Sequence, residues 1–488
     1  MRQNSARPRP ALSRRALLGT AVAGTAAAAL LPGTASATGS EHPSEYASDH
    51  LSDYPSDDTA AAEVHAEFLH GWRGYTDHAW GYDEVCPVSR RHHDFFAPGH
   101  TFGLSIVEAL DTLYLMGEDD ELARGCDWID ANLDPVQNVS VEVFESIIRL
   151  VGGLLAGYLA TGRPSLLDRV RELSERLLPA FTKSPTGIPY SHVNLRTGAV
   201  SGSTVALAQA CTNVMEFGLL SDLTGDGRYY DVATRAYQAV VSRRSSLGLL
   251  GSTIHTETGR WIDATSVAPN PPVDSFYEYL WGGSVLLGDP QLGSWYRELT
   301  DAIMKHQPVT VGGRLWFRSV DSATGRPAGG TAQSELGSFY AGLLAKGGDL
   351  THGQAYFRTW SDVLARHPVL PETVDPATLA AVDKGSQLRP EYANAALDLW
   401  RLTGDDGYKD AAYRLFAGSR ANQRVAEGYT VSGDVTVRGM RPGDLTPAYW
   451  FAENMKYQWL LFSGTPRFDY QNGILSTEGK VLSGLLHG

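Results

Sequence analysis

Cysteine is scarce: Cys86, Cys126 and Cys211 are the three in 488 residues, without a CxxC pair or a Cys/His spacing that would bind zinc. A disulfide-built scaffold and a structural zinc site are therefore excluded, and one disulfide at most remains open. Basic residues are also few, 41 Lys and Arg against 55 Asp and Glu, for a formal net charge of −14. With no basic run in the part expected to fold, no nucleic-acid surface is expected, and neutral or cationic partners fit better. Several enzyme signatures are missing too: GxSxG, a Walker loop, GxGxxG and HExxH. What is there is an ordinary globular composition, 43% hydrophobic and 20% charged, with ample material for a core.

Residues 1–37 read as an export signal. Arg7, Arg14 and Arg15 give a basic start of the bacterial twin-arginine type, an apolar run continues to Leu31, and Ala35-Ser36-Ala37 offers a cleavage site. A secreted protein is the expectation. Residues 38–58 are rich in Ser, Asp, Glu and Pro and read as a flexible leader, leaving 59–488 as the folded domain. No later stretch reads as long and apolar enough to span a bilayer, so no stable membrane association is expected once the signal is cleaved.

A repeat runs through the remainder. An apolar helical segment, a glycine turn and a second, amphipathic helix recur at LYLMGEDDELARGCDWI, YLATGRPSLLDRVREL, LSDLTGDGRYYDVATRAY, VLLGDPQLGSWYREL, LLAKGGDLTHGQAYFRTW and LWRLTGDDGYKDAAYRLF, with LLFSGTPRFDY as a degenerate last copy. The turn glycines Gly117, Gly162, Gly225, Gly288, Gly348, Gly404 and Gly464 each fit a helix C-cap. Seven hairpins of this kind imply an all-α closed ring. Helices after the turn set Leu167, Val170, Leu173 and Leu177 against charged residues and form the outer layer. Helices before the turn are apolar or aromatic all round, yet carry acids: Glu108 and Asp111, Glu145, Glu216, Asp274 and Glu278, Glu335, Glu391, Glu453. A carboxylate in such a helix is costly unless it is paired, neutral or facing a wet cavity. Inner helices of a ring converge on its axis, so these acids are expected to line one central cavity. Glu145 and Arg149, four residues apart on one helix face, are either a buried structural pair or part of that lining. Strand-like pieces at 187–200, from Thr253, and at 315–327 are expected to gather as β-hairpins at one rim.

Acids around a hole can bind a cation, protonate a leaving group and hold a water for attack. Glycoside hydrolysis uses that set, one carboxyl kept protonated as acid and another kept ionised as base, with aromatic faces for the sugar.

From about His78 to Lys480 the chain resembles the class I α-mannosidases of glycoside hydrolase family 47. The resemblance is carried, in order, by HAWGYDEVCPVS, FGLSIVEALDTLYLMGE, VEVFESIIRLVGGLLAGY, TGIPYSHVNLRTG, MEFGLLSDLTGD, DSFYEYLW, LPE, LRPE, EGYTVSGDV, FAENMKYQWLLFS and STEGK. It implies an (α/α)7 barrel, inverting, exo-acting cleavage of α-1,2-linked mannose from mannose-rich glycans, and a bound calcium ion (Ca2+); apart from the resemblance, a monomer is the expectation. Carried over by position, Glu145 resembles the general acid and Glu391 the general base, with Asp274 as alternative base or its partner. Inversion would set acid and base about 6.5–9.5 Å apart. Thr477 would bind calcium directly, and Glu478 and Glu453 through water. Arg149, Glu278, Glu372, Glu453, Asp111 and Phe451 would contact the sugar. The chain departs from the family pattern at Asn394 and Gln209, where Glu is usual, at Glu335 and Lys480, where His is usual, and at Trp281, where Lys is usual. These departures leave two alternatives: a mannose-glycan-binding relative without hydrolysis, and a mannosidase of altered linkage specificity.

Overall fold

The computed structural model describes residues 55–487. The expected export signal and nearly all of the expected leader lie outside the described residues. The first helix, α1, spans Asp57–His78 and is capped by the Ser56 hydroxyl, which accepts from the Thr59 N–H.

Helices then alternate between two rings. The hairpins are α2 (Leu104–Met116) with α3 (Asp119–Asn132), α4 (Val143–Thr161) with α5 (Pro164–Thr182), and α6 (207–224, broken at 212–213) with α7 (Arg228–Val241). They continue as α8 (Asp274–Leu287) with α9 (Pro290–His306), α10 (335–346) with α11 (Leu350–Leu364), and α12 (Glu391–Thr403) with α13 (Gly407–Asn422). The last inner helix is α14 (450–462). Even-numbered helices form the inner ring. Each packs on the next, the α8–α10 step being tied by the Trp281 indole N–H to the Lys346 carbonyl at 3.2 Å, and α14 closes back onto α2. The architecture is an (α/α)7 barrel.

All seven expected turn glycines adopt left-handed φ, from 55° at Gly464 to 102° at Gly348. A Cβ at any of them would meet nothing within 4 Å. Glycine stands at these turns for the backbone angle, not for space. Outer helices bury one stripe, as α5 does with Leu166, Val170, Leu173 and Leu177, whereas Leu167, expected in that stripe, is half-buried beside it.

The seventh hairpin differs from the sequence expectation. Among the described residues no outer helix follows Gly464; the Asp469 carboxylate instead accepts from the Gln471 and Asn472 N–H groups and turns the chain back. The outer partner of α14 is α1, from the start of the domain. Helix α4 also departs from the expectation that no later stretch is long and apolar enough to span a bilayer. Its 19 residues are long and apolar enough to cross a membrane, but 78% of that window is buried inside the barrel, where the other helices take the place of lipid. All three cysteines are free, with Cys126 and Cys211 buried.

Short strands leading into α4, α6 and α10 each pair with a hairpin leaving the next outer helix: 140–142 with 192–194 and 200–201, 204–206 with 253–255 and 261–263, 333–334 with 373–374 and 381–383. Inner helices start where outer helices end, so these sheets gather at one rim. A last hairpin, Ile474–Leu475 with Val481–Ser483, comes from the opposite end, where Arg401 at the end of α12 donates to the Tyr470 carbonyl at 2.8 Å. It rises into the lumen beside α4 and α6, its Ser476, Glu478 and Lys480 buried and its Val481 N–H bonded to Asp111 on α2 at 2.8 Å.

Candidate active site

Helix starts position the acids. Asp274 and Glu391 are the first residues of α8 and α12, Glu335 is the first of α10, and Glu145 and Glu453 lie in the first turns of α4 and α14. The free N–H groups and partial positive charge at a helix start favour carboxylates there. Two of these helices open with a wider π-type turn, Ser146–Val151 in α4 and Trp450–Asn454 in α14. Such turns re-aim side chains that a regular helix would stack, and they recur at functional sites. The turns here carry Arg149 and Glu453.

These side chains converge on a cavity of about 410 Å³, within the size range of small-molecule sites. Its wall includes Glu145, Arg149, Asp274, Glu278, Glu391, Glu453, Thr477 and Glu478. Residues as far apart in the chain as 145 and 478 thus face one hollow, and the lumen hairpin forms part of its floor. The Glu145–Arg149 pair belongs to this wall. Arg149 Nε donates to Glu145 at 2.6 Å, and its Nη1 donates to Glu478 at 2.7 Å and to Glu108 at 3.4 Å. Its guanidinium lies 5.1 Å from the Phe95 ring centre and 5.7 Å from that of Tyr449.

Burial dominates the electrostatics. It pushes the Asp274 carboxyl up to about 6, against a bond from the Ser275 N–H. It pushes Glu278 to about 7, opposed by the Lys346 ammonium and the Thr477 hydroxyl. Glu391 is raised by burial and held back mainly by Arg389. Glu453 is raised well above the usual carboxylate range by burial and by the charges of Glu478 and Glu391, and Tyr457 donates to it at 3.1 Å. Thr477 therefore sits among crowded oxygen donors, Glu278, Glu453 and Glu478, whose mutual repulsion a cation would relieve. Among the described residues no three His, Cys, Asp or Glu side chains converge as direct metal ligands. An oxygen-only set with few direct contacts fits a hard, hydrated ion such as calcium, held largely through water.

Some expected contacts lie elsewhere. Asp111 is fully buried against Lys456 at 2.7 Å and forms no part of the cavity wall, since its carboxylate is used to anchor α14 and the lumen hairpin. Phe451 is fully buried and packs edge-on against Phe68, Trp72 and Trp450, so it is core and not a sugar platform. Glu372 lies behind the wall, where it holds Arg389 at 3.1 Å and accepts from the Gln387 N–H. The expectation that every inner-helix acid faces the cavity also fails for Glu335, which is absent from the wall, and for Glu108 and Glu216, which are buried against Arg149 with Lys480 and against Tyr279. Of the departing residues, Asn394 and Gln209 line the cavity and Gln209 donates to Glu142, whereas Lys480 is buried beside Glu108 and Trp281 lies under the Lys346 ammonium.

Sequence reasoning gave no role to Arg389, Phe144 and Tyr457, all in the wall; Phe339 and Tyr449, two of the inner-helix aromatics, are in the wall as well. Arg389 was within reach, because it stands two residues before Glu391 in the Arg-Pro-Glu motif. Tyr449 stands two residues before Phe451, and only the turn at the start of α14 decides which of the two rings faces inward.

The helical toroid and its shared acidic cavity define a glycoside hydrolase of the (α/α)7-barrel type. The match to glycosyl hydrolase family 47 spans residues 67–484, and the chain belongs to that family. It is 33% identical to mouse mannosyl-oligosaccharide 1,2-alpha-mannosidase IB over 445 residues, covering 85% of this chain and 68% of that one. It is 31% identical to mouse ER degradation-enhancing alpha-mannosidase-like protein 2 over 442 residues, covering 86% and 74%. Among solved structures it is similar to the alpha-1,2-mannosidase from Trichoderma reesei, with a TM-score of 0.79, 24% identity and coverage of 88% and 100%.

Proposed function

We propose that this protein is a secreted, monomeric, inverting α-mannosidase that removes α-1,2-linked mannose from the ends of mannose-rich glycans. The observation that carries this reading is the meeting of Glu145, Asp274, Glu391 and Thr477 at one cavity. The lumen hairpin beneath it favours attack at a chain end, since no glycan could thread through. Glu145, oriented by Arg149, gives a proton to the oxygen that leaves the anomeric carbon, directly or through a water. Glu391, ionised beside Arg389, takes a proton from the attacking water, with Asp274 as its partner or alternative. One C–O bond forms, one breaks, and the sugar inverts. Arg149 and Glu278 hold sugar hydroxyls, and Tyr449, Phe339 and Phe144 supply apolar faces. Thr477 would hold calcium directly, and Glu453 and Glu478 through water; when bound, the ion supplies positive charge that fixes sugar hydroxyls.

The test is proton NMR of the first anomer released from an α-1,2-mannobiose unit with calcium supplied. β-Mannose is the expected product. Release of the α-anomer would replace inversion by retention. A second reading, a mannose-glycan-binding relative without hydrolysis, is favoured by Asn394, an amide among the cavity carboxylates. It takes over if no mannose is released at high enzyme concentration.

A further inference from the structure

Glu335 is not in the cavity wall, but its neighbour Glu391 is. Arg389, which lines the main cavity beside Glu391, also lines a second cavity of about 30 Å³ together with Glu335, Ser386, Gln423 and Asn454 among others. It has room for a water and polar groups to hold one. Glu335 and Glu391 open the adjacent helices α10 and α12. Each presents a buried Oε2 that meets no N–H or hydroxyl donor. Two such oxygens would be costly on their own, and two carboxylates this close do not both ionise. A single proton between them satisfies both.

The surroundings place that proton. Glu335 is 1% exposed and faces Glu391, Glu372 and the Tyr356 phenol, with the Arg389 guanidinium opposing their effect. Burial, then the charge of Glu391, raises its carboxyl well above the usual range. Glu391 lies beside Arg389, accepts a bond from a backbone N–H at the start of α12, and is pulled down by the bond from Glu335 against the charge of Glu372. Glu453 and Tyr449 face it from the start of α14.

We infer that Glu335 is a positioning residue: its protonated carboxyl donates to Glu391, aims it into the cavity and keeps it the ionised member of the pair. The inference deepens the proposed hydrolysis and rests on Glu391 being its base. Glu335 touches no sugar and acts only through its neighbour.

Two variants of the full enzyme test it, Glu335→Gln, which keeps a donor toward Glu391, and Glu335→Ala, which does not. The expected result for Gln is a kcat within about threefold of wild type and an unchanged acid limb of the pH profile. For Ala, kcat falls by about 10–100-fold with KM little changed, part of the general-base contribution, and the acid limb moves to higher pH because Glu391 has lost a donor to its charged form. A purely structural role would lower thermal stability and leave the limb in place. Wild-type kcat and limb in Glu335→Ala overturn the inference. An infrared spectrum at neutral pH supplies a readout that needs no substrate: the carboxylic-acid C=O band of one protonated carboxyl is expected in wild type and lost in Glu335→Gln. Identical spectra overturn the inference even if Glu335→Ala does not fold. If wild type releases no mannose, the proposed activity fails, and the infrared comparison still decides whether the pair holds its proton.

Discussion

Arg149 on α4 donates to Glu478 in the lumen hairpin at 2.7 Å, across 329 positions of the chain. The same guanidinium holds Glu145 at 2.6 Å, so the acid proposed to protonate the leaving group and the neighbour of Thr477 are aligned by one buried cation. Removing one partner of a buried ion pair leaves the other charge uncompensated, at a cost of about 3–5 kcal/mol. Arg149→Met is expected to lose unfolding free energy of that order in urea denaturation. A loss under about 1 kcal/mol would show that the carboxylates do not depend on it.

The wall acids are expected to matter for rate and not for folding. Glu145→Gln and Glu391→Gln should each lower kcat by about 10²–10⁴-fold while circular dichroism stays that of wild type. Near-normal turnover in either variant would reassign its role. The base is tested by a pH profile with a variant: burial raises Asp274 to about 6, and a base works only when ionised. If Asp274 is the base, kcat/KM falls as pH drops through about 6. A limb that persists in Asp274→Asn points to Glu391.

Glu216 gives a pH dependence of stability apart from the catalytic groups. It is fully buried, its carboxyl is pushed to about 8 by burial, and the bond from the Tyr279 hydroxyl at 2.6 Å opposes the shift only in part. An unfolded Glu titrates near about 4.3, so between those values the folded chain binds the extra proton. Its contribution is complete below about pH 4 and is lost as pH rises to about 8. Urea unfolding of the wild type in chelator should show stability falling across that window. Glu216→Gln should flatten the fall, and an unchanged slope would mean that Glu216 is already ionised.

Calcium binding to the folded chain alone should raise stability by RT ln(1 + [Ca2+]/Kd), about 2.7 kcal/mol at a hundred times Kd. Thr477→Ala removes the one proposed direct side-chain ligand. Its gain in Tm on moving from chelator to calcium should be much smaller than that of wild type. Equal gains would place the ion elsewhere.

The hairpin repeat was legible because its signals are local. Left-handed φ at Gly117 or Gly404 needs glycine whatever surrounds it, and a stripe such as Val170, Leu173 and Leu177 declares its buried face. The convergence of Glu145, Asp274 and Glu391 could be read from recurrence alone, since equivalent starts of inner helices meet at one rim. The pairing of α1 with α14 could not, because closure of a ring is a property of the whole chain and no local pattern marks it. Asp111 and Glu216 were misplaced for a related reason. An acid on an inner helix faces either the hollow or a partner such as Lys456 or Tyr279, and the partner is distant in sequence.

The aromatic pair at the start of α14 turns that last point into a measurement. Phe451 is fully buried among Phe68, Trp72, Tyr75 and Trp450, whereas Tyr449 lines the cavity and donates to the Gln387 carbonyl at 2.5 Å. Truncating a buried phenylalanine costs about 3–5 kcal/mol, so Phe451→Ala should lower Tm sharply while the folded fraction keeps a near-normal KM. Tyr449→Ala removes an apolar face and leaves most of the core intact. It should raise KM for the glycan, or lower kcat/KM by about tenfold, with a much smaller loss of Tm. The opposite assignment, KM changing with Phe451 and stability with Tyr449, would mean that the π-type turn at 450–454 is wound differently and that Phe451 is the ring the sugar meets.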